Sequence, residues 1–327
     1  MKRHLPVMAL VLPSYNEEDI LPSTLETVDS FLQELKLKGK IAKQSFALYV
    51  DDGSQDKTWT LIENFVAAHP NCRGLKLAGN VGHQNALLAG MLEAAPHVDC
   101  LVSLDADLQD DISVTEEMLQ AFSEGNDIVY GVRSDRSSDS AFKRVTAGMY
   151  YGLMSALGVK LISQHGDFRL ISRNVLANLE QYTETNIFLR GIFPSMGFKH
   201  AKVFYTRQPR ISGITKYPLS KMLAFAWQGV TSFSSKPLHW ISVMGIVTMI
   251  FSLLYASFTV YLYFIGITIP GWATLAAGIF FLGAVQLLSI AVLGEYIAKI
   301  YMEVKNRPRY IKETMAGNME NGERNGN

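Results

Sequence analysis

Short apolar runs alternate with longer amphipathic stretches through the first two thirds of the chain. The runs Met8–Leu12, Phe46–Val50, Gly74–Leu77, Cys100–Leu104 and Asp127–Val132 end in polar turns, which predicts strands. Between them, Asp19–Leu35 and Thr58–Ala68 repeat apolar residues at helical spacing. Strands separated by single helices predict an α/β fold with a mostly parallel sheet. Such sheets bind their ligands beyond the carboxyl ends of the strands.

The pattern changes after Pro237. From there to Gly294 the chain has no Asp, Glu, Lys or Arg, and Gly266, Pro270 and Gly271 interrupt the apolar stretch. Two transmembrane helices are predicted. The first, Leu238–Ile265, would rise roughly 42 Å against a hydrocarbon core of about 30 Å. Lys216, Lys221 and Lys236 precede the pair and Lys299, Lys305, Arg307, Arg309 and Lys312 follow it, whereas the connection from Gly266 to Trp272 has no basic residue. This asymmetry predicts a multi-pass protein of the cell (inner) membrane with both termini cytoplasmic.

Just before the spans, Leu219, Met222, Leu223, Ala226, Trp227 and Val230 recur at helical spacing beside Lys216 and Lys221. They predict an amphipathic helix in the membrane interface, with a core helix of the soluble region as the alternative. The expected organisation is an α/β domain over 1–212, the interfacial helix over 213–236, two transmembrane helices over 237–298, and a cytoplasmic basic segment over 299–327. That last segment ends in a disordered tail, from Ala316 on. The apolar run at Val7–Leu12 is too short for a signal sequence and reads as a core strand.

Composition supports a membrane-associated chain: 48% of the 327 residues are hydrophobic. The 30 basic and 30 acidic residues cancel, so no global field recruits nucleic acid. Cys72 and Cys100 lie in apolar stretches without metal-ligand spacing and are expected to be reduced, buried thiols.

Three acidic loops follow three predicted strands. Leu104-Asp105-Ala106-Asp107-Leu108-Gln109-Asp110-Asp111 offers hard oxygen ligands suited to Mg²⁺ or Mn²⁺ with substrate phosphates. Asp-x-Asp alone is weak, since it arises by chance about once in a chain this long. Asp110 and Asp111 would equally serve a helix N-terminus, and Asp111 is assigned there. Pro13-Ser14-Tyr15-Asn16-Glu17-Glu18 fits a capping box, with Ser14 as cap and Glu17 three residues on. Val50-Asp51-Asp52-Gly53-Ser54-Gln55-Asp56 combines a glycine turn with carboxylates. On one parallel sheet the three loops converge on one edge, where carboxylates can bind ribose hydroxyls, base N–H groups and a metal.

These segments resemble the inverting family-2 glycosyltransferases, specifically their polyprenyl-phosphate branch with bactoprenol glucosyltransferases and dolichol-phosphate mannose synthase. The resemblance runs from Val11 to about Lys312. It also rests on Asn80-Val81-Gly82-His83, Gly166-Asp167-Phe168-Arg169-Leu170 and Arg210-Ile211-Ser212-Gly213-Ile214-Thr215-Lys216-Tyr217. It implies a GT-A-like nucleotide-sugar-binding sheet. Pro13, Tyr15, Glu17, Val50 and Asp52 would hold the nucleoside, and Asp105 and Ala106 would line the diphosphate end. Asp107 and Gln109, with Asp105, would hold Mg²⁺ or Mn²⁺.

The resemblance further places Arg133, Arg210 and Lys216 near donor or acceptor phosphates, a role suited to their charge, and Arg169 and Arg190 join this set. It points to Asp167 as base or acceptor-positioning carboxylate, while the residues alone allow an ion pair with Arg169 or Arg190. The basic residues often found around Asn80 in the family are replaced here by Gly79 and His83. A lone His in such a loop is ordinarily a plain hydrogen-bonding residue, and His83 is given no catalytic role.

The implied reaction is inverting transfer of one sugar from a UDP-sugar, UDP-glucose or UDP-N-acetylglucosamine, to undecaprenyl or another polyprenyl phosphate. Two helices are too few to translocate the product, so a separate flippase and a downstream transferase are expected. Gly278, Gly283 and Ala284 allow close helix packing in a homo-oligomer. A processive polysaccharide synthase is disfavoured because Gly191 stands where the Gln-x-x-Arg-Trp motif has Trp. A nucleotidyltransferase lacks its Gly-rich loop with Lys. A non-catalytic nucleotide-sugar-binding protein would have no need of the acidic and basic residues that are all present.

Overall fold

The computed structural model describes residues 5–134, 165–185, 187–206, 236–266 and 271–317. The chain divides into two compact units, one holding the sheet and one holding two long apolar helices.

In the first unit β1 (Met8–Ser14), β2 (Phe46–Asp51), β3 (Cys72–Leu77) and β4 (Cys100–Ser103) alternate with α1 (Leu21–Leu37), α2 (Thr58–Ala68) and α3 (His83–Ala94). Then come α4 (Thr115–Ser123), β5 (Ile128–Arg133), β6 (His165–Ser172), α5 (Arg173–Leu179), α6 (Leu189–Ser195) and β7 (His200–Tyr205). A last strand, β8 (Lys312–Ala316), follows the apolar helices.

The strands form one sheet in the order β7-β5-β6-β4-β1-β2-β3-β8. Pairings β4-β1, β1-β2, β2-β3 and β5-β7 are parallel, whereas β6 is antiparallel to β4 and β5, and β8 is antiparallel to β3. This bears out the expected mostly parallel α/β sheet. The chain order reverses at β1, with β2 on one side and β4 on the other, and such a switch point opens a crevice at the strand ends.

Every residue of β1 is buried because helices cover both faces of the sheet. Met8, Leu10 and Leu12 pack in one core layer with residues of α1, α2 and α4; Ala9 and Val11 pack in the other, beneath α3. Helix α3 comes unusually close to the sheet at Gly90. A Cβ there would lie 2.5 Å from Val11 Cγ1 and 2.6 Å from Val50 Cγ2.

β8 falls within the expected basic segment over 299–327 and reaches Ala316, where the tail was expected to begin. Residues 312–316 are a strand, with Gly74 opposite Ala316 and Lys76 opposite Thr314. Lys76 Nζ meets Glu313 Oε1 at 2.8 Å, and Arg309 Nη1 donates to the Tyr182 carbonyl at 2.6 Å. The strand covers the otherwise open edge of β3, whose unpaired main-chain groups favour a partner.

In the second unit α7 (Lys236–Phe264) and α8 (Trp272–Val304) contain apolar spans at Leu238–Leu262 and Gly278–Val304, with mean hydropathy 2.0 and 1.8 and no buried share. Their length and composition fit two transmembrane helices. The expected interfacial helix over 213–236 lies, up to Ser235, outside the described residues.

Candidate active site

The parallel strands bring the loops after β1, β2, β3 and β4 to one edge. The first two are laced together. Asn16, at φ +53, donates its N–H to Ser54 Oγ at 3.0 Å and accepts from Gln55 N through Oδ1 at 2.9 Å. Glu17 N–H donates to Thr58 Oγ1 at 2.9 Å, and Glu18 N–H to Asp56 Oδ2 at 3.1 Å. The expected capping box is therefore corrected: Ser14 ends β1, and α1 begins at Leu21 with no side-chain cap and Pro22 in its first turn. The loop between them is spent on its neighbour instead.

Asp52, buried after β2, ties in the third loop. Its Oδ1 accepts from Val81 N at 2.8 Å and its Oδ2 from Gly82 N at 3.0 Å. Burial pushes its carboxyl above the ordinary range, against the pull of these two bonds. Gly53, at φ +67, lets the second loop lie against the third; a Cβ there would lie 2.5 Å from the Gly79 carbonyl carbon. Pro13 and Val50 are cross-strand partners on β1 and β2, both buried, and Val50 packs under α3. Tyr15 stands 42% exposed beyond them.

After β4 the chain turns tightly. Leu108 N–H donates to the Asp105 carbonyl at 3.2 Å and Gln109 N–H to Asp107 Oδ1 at 3.2 Å. Ala106 is buried and its carbonyl accepts from Thr24 Oγ1 at 2.7 Å, docking the turn on α1. Asp111 accepts from Ser113 N at 2.9 Å and caps the short 3₁₀ turn before α4, as expected. Burial pushes the Asp105 carboxyl up; nearby His83 opposes this, and Asp167, Asp110 and Asp107 add to it.

β6 supplies what the acidic loops lack. Because it runs antiparallel to β4, its first residues reach the edge where β4 ends, and Arg169 stands opposite Ser103. Asp167, 4% exposed, is gripped from several sides. Arg169 Nη2 lies 2.5 Å from Oδ1, Arg190 Nη2 2.8 Å from Oδ2 and Arg190 Nε 3.3 Å from Oδ1. Gln84 Nε2 and His83 Nε2, both from the first turn of α3, lie 3.3 and 3.4 Å from Oδ2. His83 also sits 3.6 Å from Asp105 Oδ1, linking the two carboxylates.

Desolvation by itself would raise the Asp167 carboxyl. The bond from His83 and the charges of Arg169 and Arg190 outweigh it and hold this group well below the usual carboxylate range. For His83, the Asp167 bond and the two carboxylate charges outweigh burial, and its imidazole is held above its ordinary value.

Arg169 is corrected as a phosphate-facing cation. It is fully buried, donates to the Gly166 carbonyl at 3.1 Å and the Leu189 carbonyl at 3.4 Å, and stacks over Phe193 at 4.9 Å. Arg190, 44% exposed on α6, has one side of its fork on Asp167. Arg133 lies 32% exposed beside Asp110 and Tyr205. Arg210 and Lys216 lie outside the described residues.

The three acidic loops thus share an edge with Asp167 and Arg190. His83, expected to be a plain hydrogen-bonding residue, and Gln84, not singled out in the sequence, complete the cluster; the signal that marks them is their place in the first turn of the helix after the third loop. Among the described residues no three His, Cys, Asp or Glu side chains are placed to hold a metal by themselves. The turn from Asp105 to Gln109 nonetheless suits Mg²⁺ or Mn²⁺. Its side-chain donors, the Asp105 and Asp107 carboxylates and the Gln109 amide oxygen, are hard oxygens.

The family model for glycosyl transferase family 2 matches residues 9–179, more than half of the chain and including all three acidic loops and Asp167. The chain belongs to glycosyltransferase family 2. This glycosyltransferase is 47% identical to the uncharacterized glycosyltransferase YkoT of Bacillus subtilis, across 95% of this chain and 92% of that one. It is 38% identical to the SfII prophage-derived bactoprenol glucosyl transferase of Shigella flexneri, across 95% and 99%. Among solved structures, the mannosyltransferase PcManGT of Pyrobaculum calidifontis aligns with a TM-score of 0.49 at 14% identity, covering 94% of this chain and 89% of that one. No functional weight rests on so distant a likeness. The family membership makes the protein an enzyme of sugar transfer.

Proposed function

We propose that this glycosyltransferase moves one sugar, with inversion, from a UDP-sugar to a polyprenyl phosphate at the cytoplasmic face of the membrane. The observation that carries this reading is the pairing of Asp167 with Arg190 beside Asp105. It sets a partly exposed guanidinium next to the acidic loops, where an anionic acceptor would meet the donor. The bactoprenol glucosyl transferase relative and the two apolar helices support a lipid phosphate as acceptor and glucose as the leading sugar, with N-acetylglucosamine as the other candidate.

The donor would lie across the switch point between β1 and β4. Tyr15 offers an exposed ring for the base, the main chain around Pro13 and Val50 shapes the floor, and Glu17 and Asp52 offer carboxylate acceptors. Asp105, Asp107 and Gln109 would hold Mg²⁺ or Mn²⁺. When bound, the cation supplies positive charge against the departing diphosphate.

In the transfer itself, an acceptor phosphate oxygen forms a bond to the anomeric carbon on the face opposite the leaving group. The bond from that carbon to the diphosphate oxygen breaks, and its electron pair leaves with UDP. A phosphate acceptor is already ionised near neutral pH, so no general base is required. This suits an Asp167 whose basicity is so strongly depressed. Its role is to hold Arg190 in place; Arg190, with Arg210 and Lys216, meets the phosphate, and orientation and charge lower the barrier.

The chain leaves the sheet after β7, passes through two apolar helices and returns as β8. That return supports an even number of crossings, and the basic flanks support a cytoplasmic sheet unit. A sugar lipid made there requires a separate flippase and a downstream transferase. A homo-oligomer packed through Gly278, Gly283 and Ala284 belongs to the same reading.

The test is a panel of UDP-sugars incubated with undecaprenyl phosphate and the full-length protein in detergent, with the anomeric configuration of the lipid product read by NMR. A β-linked product from an α-linked donor is expected. An α-linked product would overturn direct displacement, and transfer to water or free sugars alone would overturn the lipid acceptor.

A further inference from the structure

The turn that carries Asp105, Asp107 and Gln109 holds a strained residue at its centre. Leu108 has φ +43, a left-handed conformation that L side chains rarely adopt. The two bonds within the turn, Leu108 N–H to the Asp105 carbonyl and Gln109 N–H to Asp107 Oδ1, are both 3.2 Å long. Such a conformation persists only when its surroundings over-determine it.

The surroundings act through Asp110, two positions after Leu108. Asp110 is 2% exposed, and its Oδ1 accepts from the Tyr205 hydroxyl at 2.7 Å, a bond that joins residues 95 positions apart. Tyr205 closes β7, is 4% exposed, and its ring stands edge-on to Phe168 at 5.4 Å. Arg133, at the end of β5, braces the pair from the side. Its Nη2 lies 3.4 Å from Asp110 Oδ1 and its Nε 3.5 Å from the Tyr205 oxygen. The bracing arm passes close over Gly166, where a Cβ would lie 3.1 Å from Nη2.

We propose that the Asp110–Tyr205 hydrogen bond, braced by Arg133, holds the strained turn in the form that presents Asp105 and Asp107 together to a divalent cation. Tyr205 and Asp110 are then positioning residues: they act on the cation only through the turn. The inference rests on the reading that this turn binds Mg²⁺ or Mn²⁺ with the nucleotide.

The test is Mn²⁺ binding to the full-length protein in detergent with UDP present, followed by the electron paramagnetic resonance of free Mn²⁺. Tyr205→Phe removes one hydroxyl and should weaken Mn²⁺ binding about ten-fold, the scale of one hydrogen bond to a charged group. Adding Leu108→Gly should recover part of that loss, because Gly adopts positive φ without strain. A purely structural role for Tyr205 predicts no such recovery. Asp110→Asn keeps an oxygen for the Tyr205 hydroxyl and should stay within about three-fold of the unaltered protein, while Asp110→Leu should fall with Tyr205→Phe. That second pair decides the matter should Tyr205→Phe not fold. Equal Mn²⁺ binding by Tyr205→Phe and the unaltered protein overturns the inference alone; no Mn²⁺ binding by the unaltered protein overturns the metal reading and the inference with it.

Discussion

Arg190 reaches Asp167 with two nitrogens, Nη2 at 2.8 Å and Nε at 3.3 Å, and Arg169 holds the same carboxylate from the buried side at 2.5 Å. The two arginines stand in different environments, one fully buried and one 44% exposed, so their loss should have different consequences. Asp167→Asn leaves the Arg169 guanidinium buried without its counter-charge and should cost about 3–5 kcal/mol of stability. Arg190→Lys keeps the charge but loses the two-pronged contact. It should leave the melting temperature within a few degrees while raising the apparent KM for the lipid phosphate. Thermal melts beside acceptor titrations separate the two; a large loss of stability in Arg190→Lys with unchanged KM would contradict the division of roles.

His83 links Asp105 and Asp167, and its imidazole is held above its ordinary value chiefly by the Asp167 bond working against burial. A raised folded-state pKa means that the protonated form is favoured by folding. Its stabilising contribution is full below about pH 6.5, the unfolded value, and is lost as pH rises through the higher folded value. The stability difference between the unaltered protein and His83→Gln should therefore shrink from pH 6 towards pH 9. Melting curves across that range give the answer, and a pH-independent difference would show that the His83 charge plays no part.

Of the eight strands among the described residues, β1 to β5 are legible in the sequence and β6, β7 and β8 are not; the ion pair that the residues alone allowed Asp167 is present, with Arg169 and with Arg190 both. The runs at Met8 and Phe46 are legible because strands covered on both faces are apolar at every position. Asp167 reaches the same edge only because β6 runs antiparallel to β4, a direction that no local pattern encodes. β8 was hidden for a related reason: Lys312-Glu313-Thr314 is polar, as suits an edge strand, and its partner β3 is more than two hundred residues earlier. His83 was passed over because a single His carries little signal until Asp105 and Asp167 are seen on either side of it. Ser14 and Glu17 matched the spacing of a cap, yet Ser14 ends β1 and the loop that follows it is committed to Ser54, Asp56 and Thr58, contacts that exist only once β1 and β2 are paired.

Gly53 is the hinge of that arrangement. With φ +67 and the Gly79 backbone 2.5 Å from where a Cβ would stand, Gly53→Ala must push the second and third loops apart. Strain alone should cost about 1–2 kcal/mol. Because Asp52 next to it holds Val81 and Gly82, UDP binding should weaken as well. Calorimetric titration with UDP checks this, and unchanged affinity in Gly53→Ala would show that the nucleotide does not use these loops.

Burial pushes the Cys72 thiol up to about 12, with Asp29 adding to the effect, and burial raises Cys100 further. Both are free and enclosed. Neither should react with a disulfide reagent at pH 8 in the folded protein, and both should react once urea unfolds the sheet unit. Rapid labelling of the native protein would contradict the enclosed placement of β3 and β4.

In the proposed reaction, sugar transfer to a lipid phosphate would take place at the edge formed by the acidic loops, with the turn at Asp107 holding the metal. The most direct measurement follows radiolabelled sugar from UDP-glucose, and in parallel UDP-N-acetylglucosamine, into undecaprenyl phosphate by full-length protein in detergent, with and without Mn²⁺, beside Asp107→Ala. Lipid product is expected from one donor; it should depend on Mn²⁺ and fall by at least about a hundred-fold in the variant, the scale of losing a charge-stabilising group. Full activity in Asp107→Ala, or product formed equally well after chelation of all divalent metal, would contradict the proposed reaction.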